Sequence, residues 1–290
     1  MARIELSAGP IDYLDTGGPG PVLVFTTGFP MNESQWRKVL PLLPGYRCVL
    51  PTMPLGAHRQ PMKPDADLSQ RGQALLLAEF LERLGLTEVT LIMNDWGGAQ
   101  FMISERRADR VGRLVMVACE AFDNFPPKPV RPLLRMVALP GGTWLLMRLL
   151  STKFFRHNPR AYGVLSLRGI PDEVLDDWFA PATNGPHRRA IRRDLAKFAT
   201  SSPPRQVLLE WSGRLREFDR PALVVWATDD RMLPRDHGAR LAELLPQGRL
   251  VEIDGSSTLI PEDQPERLAE TLTKFLAETS GTLGPPASRV

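Results

Sequence analysis

The sequence predicts an α/β fold in which a mostly parallel sheet of eight strands is flanked by helices and carries an inserted helical cap. Short runs of apolar and β-branched residues alternate with longer segments of helical periodicity, which is typical of βαβ units. Between 125 and 218 the strand pattern disappears and Pro-rich, Arg-rich sequence replaces it. We therefore expect an α/β core at 1–124 and 219–278, a helical cap at 125–218 and a flexible tail at 279–290.

Six predicted strands precede the cap. They lie at 4–6, 11–14, 22–25, 46–51, 89–94 and 114–118, and the first two flank Ala8, Gly9 and Pro10 in the manner of an opening hairpin. Helical spacing of apolar residues predicts helices at 68–84 and at 97–107, the second directly after the fifth strand.

The helices of the cap, and the strands and helices that follow it, are predicted in the same way. Amphipathic patches predict cap helices at 133–139, 144–150, 173–179 and 188–198. After the cap, apolar runs predict strands at 222–226 and 250–253, and helices are predicted at 235–245 and 265–278. We find no internal repeat.

Charge is unevenly distributed along the chain. The formal net charge is +3, but residues 128–216 contain sixteen Lys or Arg residues against six Asp or Glu residues. The simplest interpretation is an Arg-rich segment that docks on an acidic body, and an anionic substrate under a basic lid is a second one. A nucleic-acid site would need a basic stripe with stacking aromatic residues, which Arg188, Arg189, Arg192 and Arg193 alone do not supply.

The N-terminal residues lack the apolar stretch of a signal peptide, and no uncharged apolar run reaches membrane-spanning length. Cys48 and Cys119 lie in strand-like runs and are expected to be reduced core residues. We expect a cytoplasmic monomer or homodimer that acts on a small-molecule substrate. We expect no cofactor, no metal, no nucleic-acid partner and no membrane partner.

The most informative stretch ends the fifth strand, where an apolar run stops at Asn94 and Asp95 before Trp96, Gly97 and Gly98. A strand, a sharp turn and small residues that let the next helix pack closely are typical of a nucleophile elbow. An aspartate at that turn can attack a carbon that bears a leaving group and form an enzyme-bound ester. An aspartate can also cap a helix, but the paired glycines favour the active-site interpretation.

Four segments together resemble epoxide hydrolases and haloalkane dehalogenases of the α/β-hydrolase fold. They are the elbow at 94–98, the loop at 28–30 with Trp36 downstream, the acid loop at 226–234 and the segment at 260–266. The resemblance implies the α/β-hydrolase fold over the whole chain. It also implies Asp95 as nucleophile, Asp230 as triad acid, and Gly28, Phe29 and Trp96 as donors to an oxyanion or leaving group.

Two positions depart from that family pattern. The family histidine falls on Thr258, and a second family histidine, before the oxyanion-loop glycine, falls on Thr27. A threonine hydroxyl cannot act as a base near pH 7, but as a catalytic-site residue Thr258 could position a water molecule or donate a hydrogen bond to Asp95. His58 is a possible alternative base, although a surface-loop imidazole is the simpler interpretation. The remaining histidines, His157, His187 and His237, are expected to be exposed or structural.

Further polar residues are predicted to line the substrate pocket. Glu120 and Asp123 follow the strand after the elbow, where some dehalogenases place their triad acid, and a carboxylate pair with Asp95 would raise one pKa. Tyr162 is the only cap tyrosine and a candidate proton donor, although a packing role is the simpler interpretation. Thr27 and Asn94 complete the predicted pocket, and Asp229 is a weaker alternative to Asp230.

Three functions are compatible with these residues. The first is an epoxide-hydrolase-like enzyme that uses Asp95 as nucleophile without the usual histidine base. Phe29 favours it, because epoxide hydrolases resemble this chain there and dehalogenases usually carry asparagine. The second is a non-hydrolytic isomerase, cyclase or lyase in which Asp95 is a general acid or base. The third is a catalytically inactive small-molecule-binding homologue.

Overall fold

A computed structural model of the protein describes residues 1–96 and 98–280, without the side chains of Ala99 and Gln100. Its centre is a sheet of eight strands: β1 (Ala2–Leu6), β2 (Gly9–Asp15), β3 (Val22–Phe25), β4 (Arg47–Pro51), β5 (Val89–Asp95), β6 (Val111–Cys119), β7 (Ala222–Ala227) and β8 (Gly248–Ile253). The strand order is β1-β2-β4-β3-β5-β6-β7-β8. Only the β1–β2 and β2–β4 pairs are antiparallel. The predicted α/β fold and its mostly parallel sheet are confirmed.

The central strands of the sheet could be predicted from the sequence because of the way they are buried. Every residue of β5, β6 and β7 is buried. Parallel strands covered by helices on both faces need continuous apolar runs rather than alternating ones. Because the carboxyl ends of parallel strands meet at one sheet edge, the loops that follow β3, β5 and β6 meet there, as ligand sites of this architecture require.

The core helices are α1 (Gln70–Arg83), α2 (Ala99–Ser104), α9 (His237–Leu244), α10 (Ile260–Asp263) and α11 (Pro265–Glu278). Helix α1 begins at Ser69, whose hydroxyl accepts a hydrogen bond from the Gly72 amide. Helix α2 is shorter than the predicted 97–107, because Arg106 adopts a left-handed φ of 54° and the Arg107 amide turns back to Met102.

Between β6 and β7 the chain forms six helices: α3 (Arg131–Val137), α4 (Gly142–Leu150), α5 (Lys153–Arg156), α6 (Asp172–Thr183), α7 (Arg188–Ala199) and α8 (Arg205–Gly213). The four predicted patches fall on α3, α4, α6 and α7, whereas α5 and α8 were not predicted. Residues 128–160 form no hydrogen bond or ion pair with the core among the described residues. Their attachment is apolar packing.

The basic residues of the cap were expected to dock on acidic residues of the core, and the ion pairs do not show this. Where the chain is described, Arg205–Asp123 is the single ion pair between a cap arginine or lysine and a core carboxylate. Arg156 pairs with Asp172 and Asp176 within the cap. Arg193 and Lys197 donate to backbone carbonyls of the core, at Met62, Pro64 and Ala66, rather than to carboxylates there. The Arg-rich segment therefore does not dock on an acidic body through salt bridges.

The C-terminal end of the described chain is packed against the sheet. Thr279, the first residue of the predicted tail, is buried and accepts hydrogen bonds of 2.7 and 2.8 Å from the Arg113 guanidinium. Residues 281–290 lie outside the described residues, so the flexible tail remains a prediction for them. Cys48 and Cys119 are free and buried. No helix among the described residues combines the length and apolar character needed to cross a membrane.

Candidate active site

Asp95 ends β5 in a strained backbone conformation. Its φ is +67°, in the left-handed region that residues other than glycine seldom adopt, and its side chain is only 6% exposed. Burial raises the pKa of Asp95 to about 7; the Phe29 amide opposes that shift, and the charge of Asp230 adds to it. These features are those of a nucleophile elbow, although Gly97 of the predicted motif lies outside the described residues.

The loop after β3 holds the Asp95 carboxylate. The Phe29 amide donates to Asp95 Oδ2 at 3.1 Å. Gly28 is required for this approach, since a Cβ there would lie 2.2 Å from the same oxygen. The Gly28 amide itself donates to Gln35 Oε1 at 2.9 Å. The expectation that Gly28 donates to an oxyanion is therefore wrong, and its contribution is steric.

Asn94 belongs to a buried network rather than to the substrate pocket. Its Nδ2 donates to the backbone oxygens of Val117 and Thr258, at 2.8 and 2.7 Å, and its Oδ1 accepts from Gln35 Nε2 at 2.6 Å. Asn94 and Gln35 thus join the loops that follow β3 and β8, and the end of β6, to the elbow. Gln35 was not predicted, because nothing in its local sequence distinguishes it. Thr27 likewise does not line the pocket: its hydroxyl donates to Met31 O within its own loop.

Asp230 and Thr258 are in contact, so the Thr258 hydroxyl donates to Asp230 and not to Asp95 as expected. Thr258 Oγ1 donates to Asp230 Oδ1 at 2.9 Å, and the Met232 and Leu233 amides donate to the same oxygen at 2.8 Å. Asp230 Oδ2 is buried without a hydrogen-bond partner among the described residues. Burial raises the pKa of Asp230 to about 6 against these three donors. Asp229 is exposed and accepts from the Gly255 amide, so it does not belong to the site.

An apolar cavity lies over Asp95. Cap side chains that line it include Leu133, Leu134, Leu146, Leu150, Leu165 and Phe198, and its polar lining consists of Asp95, Trp96, Glu120 and Tyr162. Among the described residues, no arginine or lysine lines it. An anionic substrate under a basic lid is therefore not supported, and the lining suits an uncharged apolar molecule.

Glu120 lies beside Asp95, because β6 ends next to β5 and the Glu120 amide donates to the Asp95 carbonyl at 2.8 Å. Burial, and then the charge of Asp95, raise the pKa of Glu120 well above its usual value. Both causes favour the protonated form of Glu120. Asp123, the neighbouring alternative, pairs with Arg205 away from the cavity.

Trp96 also faces the cavity, and its ring packs edge-on against Phe198. Its indole N–H is buried and has no hydrogen-bond partner in the described part of the chain. A buried donor without a partner costs free energy unless a ligand or water accepts from it. Gly98 makes room for the ring, because a Cβ there would lie 2.5 Å from it.

Tyr162 lines the cavity, but its hydroxyl is engaged with the loop after β3. It lies 3.3 Å from Phe29 O and 3.2 Å from Pro30 O, and one hydroxyl proton serves both. Burial, and then the charge of Asp95, raise the pKa of Tyr162 well above its usual value. The packing interpretation of Tyr162 therefore accounts for most of its contacts.

The histidines do not supply a base. His58 is 2% exposed, accepts from the Gly56 amide at Nδ1 and faces Asp194 Oδ2 with Nε2 at 3.4 Å. It is neither a surface imidazole nor a cavity residue, and burial lowers its pKa. His237 is buried against Phe122, and His157 contacts Asp172. None of the four histidines is among the residues that line the cavity.

Asp263 was not predicted as a site residue, yet it connects the loop after β8 to the cap. This fully buried carboxylate accepts from Ser166 Oγ at 2.6 Å, from the Leu167 and Arg168 amides, and from the Ser257 amide at 3.1 Å. It holds the segment that precedes Thr258 against the cap. The donors are distant in sequence, so only the structure reveals this role.

Comparison with known proteins agrees with this fold. A sequence model of the alpha/beta hydrolase family matches residues 23–271. A haloalkane dehalogenase of Mesorhizobium japonicum is 24% identical over 96% of this chain and 91% of its own length. Haloalkane dehalogenase 2 of Mycobacterium tuberculosis is 25% identical over 92% of each chain.

Solved structures show the same fold. A haloalkane dehalogenase from Bradyrhizobium elkani superposes with a TM-score of 0.75 at 19% identity, over 97% of this chain and 98% of that one. A thermophilic esterase from Thermogutta terrifontis gives a TM-score of 0.70 at 20% identity, over 96% and 99%. Identities this low establish fold and not chemistry.

Proposed function

Because the chain belongs to the alpha/beta hydrolase family, we propose that it is an epoxide-hydrolase-like enzyme with Asp95 as its nucleophile. Asp95 Oδ1 attacks an electrophilic carbon of an apolar epoxide, since Oδ2 accepts from the Phe29 amide. The new bond is an ester C–O bond, and the epoxide C–O bond breaks. The released oxygen takes a proton from Glu120.

One observation carries this proposal: a carboxylate with left-handed backbone geometry lies buried at the end of a parallel strand, under an apolar cavity. Burying a carboxylate and holding a left-handed backbone conformation both cost free energy. Such unfavourable features are typical of catalytic residues. The Phe29 amide orients it, and low polarity around it strengthens its electrostatic interactions with a substrate.

Glu120 supports epoxide opening over halide displacement. An alkoxide is a poor leaving group and needs a proton, whereas a halide ion needs only hydrogen-bond donors. Burial raises the pKa of Asp95 to about 7 and favours the protonated form of Glu120, so the two carboxyl groups can serve as nucleophile and acid. The indole N–H of Trp96 is a further donor for the developing negative charge.

The second half of the reaction has no imidazole base. Thr258 occupies the position next to Asp230, and a neutral hydroxyl does not remove a proton from water near pH 7. We therefore expect ester formation to be much faster than ester hydrolysis. The ester would then accumulate and be observable.

Intact-mass measurement tests this expectation directly. Protein incubated with a terminal aryl epoxide should gain the mass of one epoxide, located on Asp95 by peptide mapping. The Asp95→Asn variant should gain nothing. An adduct that persists at another residue in Asp95→Asn would contradict the nucleophile assignment. Rapid turnover with no adduct would instead contradict slow ester hydrolysis and would indicate another base or a non-hydrolytic reaction.

The rate of ester formation should depend on pH in two ways. Because the pKa of Asp95 is about 7 and the ionised form is the nucleophile, the rate should rise about tenfold per pH unit below 7. With an epoxide it should fall again at high pH, where Glu120 loses its proton. With an alkyl bromide of the same carbon skeleton it should reach a plateau, so bell-shaped profiles for both substrates would argue against Glu120 as proton donor.

A second candidate function is a non-hydrolytic isomerase, cyclase or lyase. The pKa of about 7 favours it, because a general acid or base works best when its pKa is near the operating pH. Solvent deuterium incorporated into a product, without any mass adduct, would favour this function over the nucleophilic one. Ligand-induced thermal stabilisation with neither adduct nor product would favour an inactive binding protein.

A further inference from the structure

The outer surface of the cap carries a group of exposed apolar side chains. Leu139, Trp144, Leu145 and Phe154 are 63%, 56%, 41% and 90% exposed. Only three other large apolar side chains are exposed in the described residues, and they are far apart in sequence. We call these four residues the apolar cap surface. Clustered exposure of this kind marks an interaction site more often than scattered single residues do.

Helix α4 is apolar on two sides. Leu146 and Leu150 point inward and line the cavity, whereas Trp144 and Leu145 face outward. A helix that is apolar all round is normally buried on every side or placed against lipid. The outward side of α4 therefore needs an apolar partner that the folded chain does not provide.

The sequence around this surface is purely cationic. Residues 124–171 contain eight Lys or Arg residues and no Asp or Glu. Lys128, Arg135, Arg148 and Arg160 are exposed and form no ion pair with any described residue. Arg148 follows Trp144 by one helical turn, so a charge and an apolar ring share the outer face of α4.

We infer that the apolar cap surface, with the cationic residues around it, docks the protein on an anionic lipid bilayer. Exposed Trp, Phe and Leu side chains flanked by Lys and Arg are the composition of a surface-bound amphipathic helix. A second copy of the chain is a poorer partner, because a twofold interface would bring the same unpaired cations together. We expected no membrane partner because no run could span a bilayer, but surface binding needs no such run.

Vesicle co-sedimentation tests this docking without any substrate, so its outcome is independent of the chemistry proposed for Asp95. The full-length protein should bind phosphatidylglycerol-containing vesicles and bind pure phosphatidylcholine vesicles at least about tenfold more weakly. Binding should weaken as salt increases. Equal binding to both compositions would overturn the role of the cations, and no binding to either would overturn the docking itself.

A pair of matched variants locates the contact. Trp144→Ser with Phe154→Ser should lower binding by about tenfold or more, because both side chains would enter the interface. Leu42→Ser with Leu250→Ser, which changes side chains that are 39% and 38% exposed elsewhere, should bind like the unaltered chain. An equal loss of vesicle binding in both double variants would contradict the assignment of the membrane contact to the cap.

Tryptophan fluorescence and the oligomeric state in solution give two further tests of the membrane docking. Trp144 is the most exposed of the six tryptophans, so its emission should shift to shorter wavelength with anionic vesicles and should be quenched by brominated lipid. Sedimentation equilibrium without lipid should give a monomer. A dimer that the cap double variant dissociates, with no vesicle binding, would show that a second copy covers the surface instead.

Discussion

Replacing Thr258 by histidine is expected to shorten the lifetime of the Asp95 ester by a factor of about 10² to 10⁴, the usual contribution of a general base. Thr258 Oγ1 lies 2.9 Å from Asp230 Oδ1, so one nitrogen of the new imidazole can take over that contact. The partnerless Asp230 Oδ2 offers a second acceptor. The other ring nitrogen could then activate a water molecule toward the ester.

The measurement is the decay of ester mass after excess epoxide is removed. Thr258→Val keeps the volume without a base and should not accelerate the decay. Adding Asp230→Asn to Thr258→His should remove most of the gain, because the imidazole loses its orienting acid. Thr258 is fully buried, so the larger ring should cost about 1–3 kcal/mol of stability, which thermal unfolding would report. A folded Thr258→His variant with an unchanged ester lifetime would refute the placement.

Replacing Asp95 by asparagine is expected to abolish ester formation and to stabilise the fold. The amide is not a nucleophile for an epoxide, but its oxygen can still accept from the Phe29 amide. The carboxylate is buried, and the pKa of Asp95 rises from 3.8 to about 7 on folding. At about 1.4 kcal/mol per pKa unit, the charged form destabilises the folded state by about 4 kcal/mol above pH 7.

The pH dependence of that gain follows from linkage. Between pH 3.8 and 7 the folded state holds a proton that the unfolded state has lost, so the stability of the unaltered protein falls as pH rises through this window. The asparagine variant should therefore gain about 2–4 kcal/mol at pH 8 and almost nothing near pH 4, measured by denaturant unfolding. Asp65→Asn, an exposed control, should change stability little at either pH. If Asp95→Asn were less stable than the unaltered protein at pH 8, the conclusion that burial of the Asp95 carboxylate destabilises the fold would be contradicted.

Local patterns were sufficient to predict the fold and part of the site. Continuous apolar runs identified β5, β6 and β7, because their burial on both faces makes their hydrophobicity continuous. The positions of Asp230 and Thr258 in the loops that follow β7 and β8, two neighbouring strands, were also predictable, although their contact was not predicted. In both cases the relevant information lies within a few residues of the feature, or in the strand order.

Other features depend on contacts between distant segments. His58 is buried and faces the Asp194 carboxylate, which lies 136 residues away in the sequence. The Gly28 amide is taken by a glutamine side chain, and the Trp96 N–H is left without a partner by packing. None of these follows from motif spacing. The exposed side of α4 was also not predictable, since the same leucine-rich pattern would describe a fully buried helix.

Helices α6 and α7 of the cap are hydrogen-bonded to the loops that follow β3 and β4, and a further anchor of the cap is the Asp263 carboxylate. Its bonds to Ser166, Leu167, Arg168 and Ser257 fix the cap next to the loop of Thr258. Residues 128–160, the loose edge of the cap, form no hydrogen bond or ion pair with the core in the described part of the chain. If the cap opens, α3 to α5 should part from the core while α6, α7 and the segment bonded to Asp263 stay attached. Substitutions on the loose edge would then alter how fast molecules enter and leave, while the groups that handle protons keep their positions.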